Sequence, residues 1–445
     1  MGLTRAEADA LDAADPLAGL RDAFDLPAGV IYLDGNSLGP PPKAALARLS
    51  ETAASEWGRD LITSWNANGW MEAPLRVGAK IAGLIGARPH EVAVADSTSV
   101  NLFKLAAGAL SLRPGRTTLL AQAGEFPTDL HILQGLGELL GDRARLKIAP
   151  EGALLDAIDE DTAALVLSHV HYRTSRRWDM ASVTAAAQAR GALMLWDLSH
   201  SAGAVAVDLN GAKADLAVGC GYKHLNGGPG APAFLFVAER HLPAIRQPLT
   251  GWLGHAEPFA FEDRHRPAPD IRALTTGTPP ILSLTALEAG IDLHLSVDRA
   301  AAEAKGGALS DLFIALVEAR CPELTLASPR RAADRGLHVS LTHPDGYAIV
   351  QALIARGVIG DFRAPDVLRF GFSPLFTRFA EVWAAVDLLA DVLASRAYDR
   401  AEYRERAAVT RGFARGNGAG QARSAKQDGG DGGIRTLDTL SRMTI

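Results

Sequence analysis

A lysine closes the apolar run of small residues Ala214-Asp215-Leu216-Ala217-Val218-Gly219-Cys220-Gly221-Tyr222-Lys223, and the chain then turns through His224-Leu225-Asn226-Gly227-Gly228-Pro229-Gly230. An ammonium at the end of a buried strand, beside a loop too glycine-rich to crowd it, can be desolvated until it yields a nucleophilic amine. A lysine that condenses with an aldehyde requires this. Upstream, a second apolar strand, Ala192-Leu193-Met194-Leu195-Trp196, ends on Asp197 and continues Leu198-Ser199-His200. Singly these residues have ordinary readings, since a lysine after an apolar strand is usually a solvated strand end and an aspartate there a helix cap. In the order strand-Asp-x-x-His, strand-Tyr-Lys, glycine-rich turn, they predict a site for pyridoxal 5′-phosphate. That cofactor needs a lysine for its aldehyde and an anion that keeps its pyridine nitrogen protonated.

Such groups need rigid elements to hold them. At 445 residues the chain exceeds one ordinary domain. From about 80 to 240 short β-rich runs alternate with helical runs, which predicts βαβ units around a mostly parallel sheet flanked by helices. The clearest strands are Val92-Ala93-Val94, Thr117-Thr118-Leu119-Leu120-Ala121, Ala164-Leu165-Val166-Leu167-Ser168, Leu193-Met194-Leu195-Trp196 and Ala233-Phe234-Leu235-Phe236-Val237, with helices over 129–140 and 180–190. Ligands of such sheets sit beyond the carboxyl ends of the strands, where the residues above fall. A long helical region over 282–318 leads to a smaller α+β region with strands Leu337-His338-Val339-Ser340-Leu341 and Val367-Leu368-Arg369-Phe370-Gly371-Phe372, and helices over 346–356 and 379–398. The expected division is an N-terminal segment 1–50 associated with the small domain, a large cofactor-binding domain 51–295, a small domain 296–405 and a disordered, glycine-rich tail 406–445.

Composition excludes other classes. Hydrophobic residues make up 48% and charged residues 22%, and a net charge of -6 gives no basic stripe for nucleic acid. The two cysteines, Cys220 and Cys321, exclude a disulfide framework and fit a reducing cytosol. The N-terminus lacks the apolar segment of a secretory signal, and no stretch approaches twenty uninterrupted apolar residues, so a cytoplasmic protein without a membrane span is expected.

Further motifs fall at strand ends. Asp96-Ser97-Thr98-Ser99-Val100-Asn101 opens a helix, and free N–H groups with hydroxyls at a helix N-terminus suit a phosphate. Phe126, in Gly124-Glu125-Phe126-Pro127-Thr128-Asp129, is either a core side chain or a plane on which a pyridine stacks. In Ser168-His169-Val170-His171, Ser168 is placed to touch the cofactor, whereas the His-x-His pair lacks a third ligand at metal-site spacing. Trp252, in a loop, can offer its indole N–H to a phosphate oxygen. Arg369 is a lone cation on an apolar strand. It meets either an internal carboxylate or, as favoured here, the α-carboxylate of an amino-acid substrate.

Together these residues resemble the kynureninase family, within the class V aminotransferase branch of fold type I pyridoxal-phosphate enzymes. The resemblance covers roughly residues 25 to 400. Its narrowest motifs are Tyr32-Leu33-Asp34-Gly35-Asn36-Ser37-Leu38-Gly39, Ser64-Trp65-Asn66-Ala67-Asn68-Gly69-Trp70 and Leu225-Asn226-Gly227-Gly228-Pro229-Gly230. Phe126-Pro127-Thr128-Asp129, Trp196-Asp197-Leu198-Ser199-His200-Ser201-Ala202-Gly203 and Tyr222-Lys223 accompany them. The resemblance implies that Lys223 binds the cofactor covalently, Asp197 pairs with the pyridinium, His200 lies beside the ring and Phe126 stacks on it. Thr98, Ser99, Thr128, Asp129, Ser168 and Tyr222 would contact the cofactor or its phosphate. Trp252 and Thr278 would be supplied across a homodimer interface at which the active site lies. Arg369, Asn36 and Ser37 would meet the substrate carboxylate. His224 departs from the aromatic that often follows the lysine, and the extension after Arg411 has no counterpart in the family.

The implied reaction is hydrolysis of L-kynurenine, or its 3-hydroxy form, to anthranilate or 3-hydroxyanthranilate and L-alanine, with Lys223 moving the Cα proton and Tyr222 as general acid. Of the rivals, a cysteine desulfurase needs a mobile nucleophilic cysteine, which neither Cys220 nor Cys321 is placed to be. An aminotransferase would require a 2-oxo acid, and a non-catalytic scaffold would have lost Asp197, Lys223 or Arg369.

Overall fold

The computed structural model describes residues 4–405, so the glycine-rich extension expected from 406 lies outside the described residues. After β1 (Ile31–Tyr32), seven strands form the main sheet: β2 (Val92–Val94), β3 (Thr118–Gln122), β4 (Arg145–Ala149), β5 (Thr162–Ser168), β6 (Leu193–Asp197), β7 (Leu216–Gly219) and β8 (Phe234–Val237). Their order is β2-β8-β7-β6-β5-β3-β4. The five strands from β7 to β4 run parallel, while β8 is antiparallel to both β7 and β2.

Alternation along the strands builds a core on each face of this sheet. Met194 and Trp196 of β6 face one side with the helices Ala73–Leu84, Met180–Ala189 and Ile281–Leu295, and Leu193 and Leu195 face the other with Thr98–Leu112 and Pro127–Leu140. Both faces being covered, β5 to β8 read as continuous apolar runs. The edge strand β4 does not. Its charges Arg145 and Lys147 alternate with apolar residues on a largely solvated strand, which hid it from a reading based on apolar runs.

The C-terminal region holds β9 (Thr325–Leu326), β10 (His338–Thr342), β11 (Val358–Ile359), β12 (Asp361–Arg363) and β13 (Val367–Gly371). Four of these make an antiparallel sheet in the order β12-β13-β10-β9, while β11 pairs in parallel with β1. The helices Arg299–Arg320, Gly346–Ile354 and Phe379–Ala394 share its apolar core, and Phe313 packs against Phe370 and Phe372 at ring separations of 5.1 and 5.2 Å. Truncating such a buried aromatic to alanine costs ~3–5 kcal/mol.

Two expected elements differ. The helical region over 282–318 is two helices, Ile281–Leu295 and Arg299–Arg320, because Asp298 caps the second by accepting from the N–H groups of Ala300 and Ala301. The lysine strand ends at Gly219, so Lys223 sits in a turn four residues beyond it. That turn is closed by Asn226 N–H to Lys223 O (3.1 Å) and Gly227 N–H to Gly221 O (2.9 Å), with Asn226 at φ +56°. No helix among the described residues is long and apolar enough to cross a membrane.

Candidate active site

The carboxyl ends of β3, β5 and β6 and the turn after β7 converge on a cavity of about 160 Å³ lined by Thr98, Ser99, Phe126, Thr128, Asp129, Ser168, Tyr172, Asp197, Ser199, His200, Tyr222 and Lys223. Asp197 ends β6, and its Oδ1 accepts from the Ser199 N–H (2.8 Å) and hydroxyl (2.6 Å), an Asx turn that fixes the carboxylate. Lys223 Nζ lies 3.1 Å from His200 Nε2 and 5.8 Å from the ring centres of both Phe126 and Tyr222. Burial, and after it the Lys223 charge, holds His200 well below the usual histidine range. His200 Nδ1 is buried and without a protein partner.

Gly39 holds the lysine turn from below. Its N–H donates to Tyr222 O at 2.9 Å, and a Cβ there would lie 2.2 Å from Lys223 O, so the N-terminal segment can approach this closely only through a glycine. The helix Thr98–Leu112 points its N-terminus at the cavity, with Ser97 as N-cap accepting from Val100 N–H. Thr98 and Ser99 thus present hydroxyls and unpaired N–H groups at the positive end of a fifteen-residue helix.

Two acids, Asp129 and Asp197, line the cavity, and a third, Glu125, is buried against Ser168. Burial, then the Asp197 and Glu125 charges, pushes Asp129 well above the carboxylate range. Burial pushes Glu125 up to about 7, against a hydrogen bond from the Ser168 hydroxyl; its Oε1 has no partner. Lys223 is the cation on this cavity's lining. Burial also raises the Tyr222 phenol, which keeps its proton.

Phe126 is 39% exposed, so the core reading of this residue does not hold; it starts the helix Pro127–Leu140 and meets Tyr172 edge-on at 5.3 Å. Arg369 is not a lone cation. Its Nε donates to Asp361 Oδ1 (2.7 Å) and its Nη2 to Asp361 Oδ2, while Nη1 donates to Tyr172 O (2.6 Å) and Nη2 to Ser37 Oγ (3.1 Å). Arg369 therefore stands one residue behind the cavity wall, and the internal carboxylate that the sequence left as its alternative partner is Asp361. Ser37 joins this cluster, and Asn36 is buried beside Gly371 with both amide atoms unpartnered.

Trp252 and Thr278 are not on the Lys223 cavity. Trp252 is 40% exposed and packs on Phe259, and Thr278 lines a neighbouring cavity of about 650 Å³ that Ser37, Thr98 and Tyr222 also border. The His-x-His pair is divided: His169 bonds Ser201 Oγ and His171 bonds Gly124 O, each at 2.9 Å. Among the described residues no group of three or more His, Cys, Asp or Glu is arranged to hold a metal. Glu125, Tyr172 and Ser199 were missed as site residues. Glu125 had a signal, an acid between a strand end and a Pro-led helix start.

A family model described as the kynureninase C-terminal domain matches residues 302–389. Curated proteins named kynureninase from Burkholderia mallei (strain SAVP1) and Burkholderia pseudomallei (strain 1106a) are each 52% identical to the chain over 414 residues, spanning 92% of it and 100% of their own length. One from Pseudomonas fluorescens is 51% identical over 415 residues, with the same coverage. Among solved structures, the apo cysteine desulfurase of Thermococcus onnurineus NA1 superposes with TM-score 0.73 at 19% identity, covering 89% of this chain and 100% of that one. The Escherichia coli cysteine desulfurase CsdA gives 0.71 at 19% identity over 85% and 98%. At this identity the likeness establishes the fold, a mixed central sheet flanked by helices with a smaller C-terminal region, as expected for fold type I.

Proposed function

The chain belongs to the kynureninase family, and on that premise we propose that it hydrolyses L-kynurenine, or the 3-hydroxy form, to anthranilate or 3-hydroxyanthranilate and L-alanine, with pyridoxal 5′-phosphate as cofactor. The observation that carries this reading is that Lys223 and the fixed Asp197 carboxylate line one small cavity together with Phe126 and the helix N-terminus at Thr98 and Ser99. A protonated pyridine nitrogen would meet Asp197 there, Phe126 would offer a plane to its ring, and the helix N-terminus would suit its phosphate.

Bound there, the cofactor supplies an electrophilic aldehyde carbon and an electron-withdrawing pyridinium. The protein's side chains do the rest. Asp197, locked by Ser199, would hold the ring nitrogen protonated, and Asp129 and Ser168 complete that wall. Lys223 would hold the cofactor at its aldehyde carbon, and its amine is the base placed to take the proton from the substrate Cα. His200, neutral, orients Lys223 through Nε2. Hydrolysis adds water across the Cβ–Cγ bond of the substrate, and the un-ionised Tyr222 phenol protonates the departing alanine fragment. Arg369 and Ser37, with Asn36, would receive the α-carboxylate by exchanging part of their present bonding, in which Arg369 donates to Asp361, Tyr172 O and Ser37 Oγ.

The finer organisation belongs to the same reading. A homodimer is supported by the exposed apolar residues Trp57, Leu61, Ile62, Trp252, Phe259 and Phe261, which would carry Trp252 and Thr278 to the partner's cofactor. A cofactor-binding body of residues 51–295 and a smaller one of 296–405, with 1–50 attached to the latter, are supported by separate apolar clusters and the β1–β11 pairing. Desulfurase chemistry is disfavoured because both cysteines are buried, with burial raising Cys220 and pushing Cys321 up to about 11. The deciding experiment is product analysis. Equimolar alanine and anthranilate from L-kynurenine, with no 2-oxo acid required, support the reading; transamination, or sulfur release from cysteine, contradicts it.

A further inference from the structure

Lys104 is fully buried in the helix Thr98–Leu112, its side chain 0% exposed, and nothing in the mechanism uses it. Its ammonium donates to the Asp96 carboxylate and to the backbone carbonyl of Leu274 at 2.6 Å. These partners belong to two loops distant in sequence. Asp96, at φ +47°, begins the turn that leads through Ser97 to Thr98, and Leu274 begins the segment that reaches Thr275–Thr278. Both loops border the 650 Å³ cavity, which Tyr222 also lines. The second loop is tied onward to the Trp252 turn by Leu253 N–H to Thr276 O at 3.3 Å.

Burying an ammonium in a helix otherwise lined with leucine and alanine is unfavourable unless it meets strong acceptors, and a leucine would fill the same space without that cost. The two acceptors it meets are the ones that fix where 96–99 stands relative to 274–278. We propose that Lys104 is a positioning residue for the cofactor phosphate, clamping the helix N-terminal loop that carries Thr98 and Ser99 to the segment that carries Thr278. The proposal rests on reading the site as a pyridoxal-phosphate site and adds a residue that touches neither cofactor nor substrate. Asp96 is its partner in the clamp, held in the left-handed conformation by Lys104 and by Ala233 N–H to Asp96 O at 2.9 Å.

The test compares pyridoxal phosphate with pyridoxal, which lacks the phosphate, by absorbance titration of cofactor-depleted full-length protein, with thermal unfolding as a control. Wild type binds the phosphorylated form far more tightly. Lys104→Met should lower that preference by about tenfold or more while pyridoxal affinity stays within about threefold, because the loss falls on phosphate geometry. Equal weakening of both ligands, or no change in preference, overturns the clamp. Should Lys104→Met fail to fold, Asp96→Asn decides, with a smaller loss of phosphate preference expected and an unchanged preference overturning the proposal. Wild-type protein that binds neither ligand would instead overturn the cofactor reading itself.

Discussion

Two buried charge clusters meet at Tyr172, which lines the Lys223 cavity and accepts from Arg369, and they are built differently. Near the small sheet, Arg363 and Arg369 converge on one acid, Asp361, with Asp34 buried near them. Asp361 accepts from Arg369 Nε and Nη2, from Arg363 Nη2 (2.7 Å) and from Ser37 Oγ (2.8 Å). Although burial opposes it, these hydrogen bonds and charges hold Asp361 below the carboxylate range, while burial and then Asp361 push Asp34 up to about 7. At the ends of β3, β5 and β6, by contrast, Asp129 and Asp197 line an open cavity with Lys223, and Glu125 is buried against Ser168. The first cluster closes its main ion pairs internally, although Asp34 Oδ1 and Arg363 Nε are left without partners. The second opens two acids and a lysine to a cavity, an arrangement shaped for a ligand that brings positive charge.

The contrast breaks most visibly at Lys223. Lys223→Ala should abolish turnover, a fall of roughly 10⁴-fold or more in kcat, because no other amine lines the cavity; stopped-flow and long-time product assays check this. Asp197→Asn keeps the shape and removes the anion, and a fall of about 10³-fold in kcat is expected, with a changed visible absorption band for the bound cofactor. In the arginine cluster, Arg369→Met removes the two-point partner of buried Asp361 and leaves it Arg363 and Ser37, so urea unfolding should report a loss of ~3–5 kcal/mol alongside a rise in KM.

A subtler test uses pH. Glu125 titrates higher in the folded protein, about 7, than in the unfolded chain, so between pH ~4.5 and ~7 the folded state binds the extra proton. Its penalty is absent below the unfolded value and grows as pH rises toward 7, reaching about 3 kcal/mol. Cofactor-free protein should therefore lose stability across that window, and Glu125→Gln should flatten the slope in denaturant titrations at pH 5, 6 and 7. The smallest effect is expected from Gly39→Ala, whose Cβ would crowd Lys223 O. A cost of about 1–3 kcal/mol in thermal unfolding, with cofactor affinity lowered, would tie the N-terminal segment to the lysine turn.

The main sheet was legible because β5, β6 and β8 are buried on both faces and read as apolar runs, and because Asp197 and Lys223 close two such runs. Edge strand β4 and the two-residue strands were not, since solvation removes the apolar signal and two residues carry no period. Proximity across the chain was the larger gap. Asp361 follows Val358-Ile359-Gly360 and looks like an ordinary strand-start acid, and only β12 pairing with β13 in register, Asp361 opposite Arg369, makes it the arginine's partner. Glu125 carried a local signal, but its significance lies in Ser168 and Asp197 arriving from other strand ends.

The central claim is that the Lys223 amine is the point of attachment for pyridoxal phosphate. Borohydride reduction of the yellow holoprotein, followed by peptide mass mapping, tests it most directly. The account predicts a single pyridoxyl-phosphate adduct on Lys223; an adduct on another lysine, or none in protein that still releases alanine from kynurenine, would contradict it.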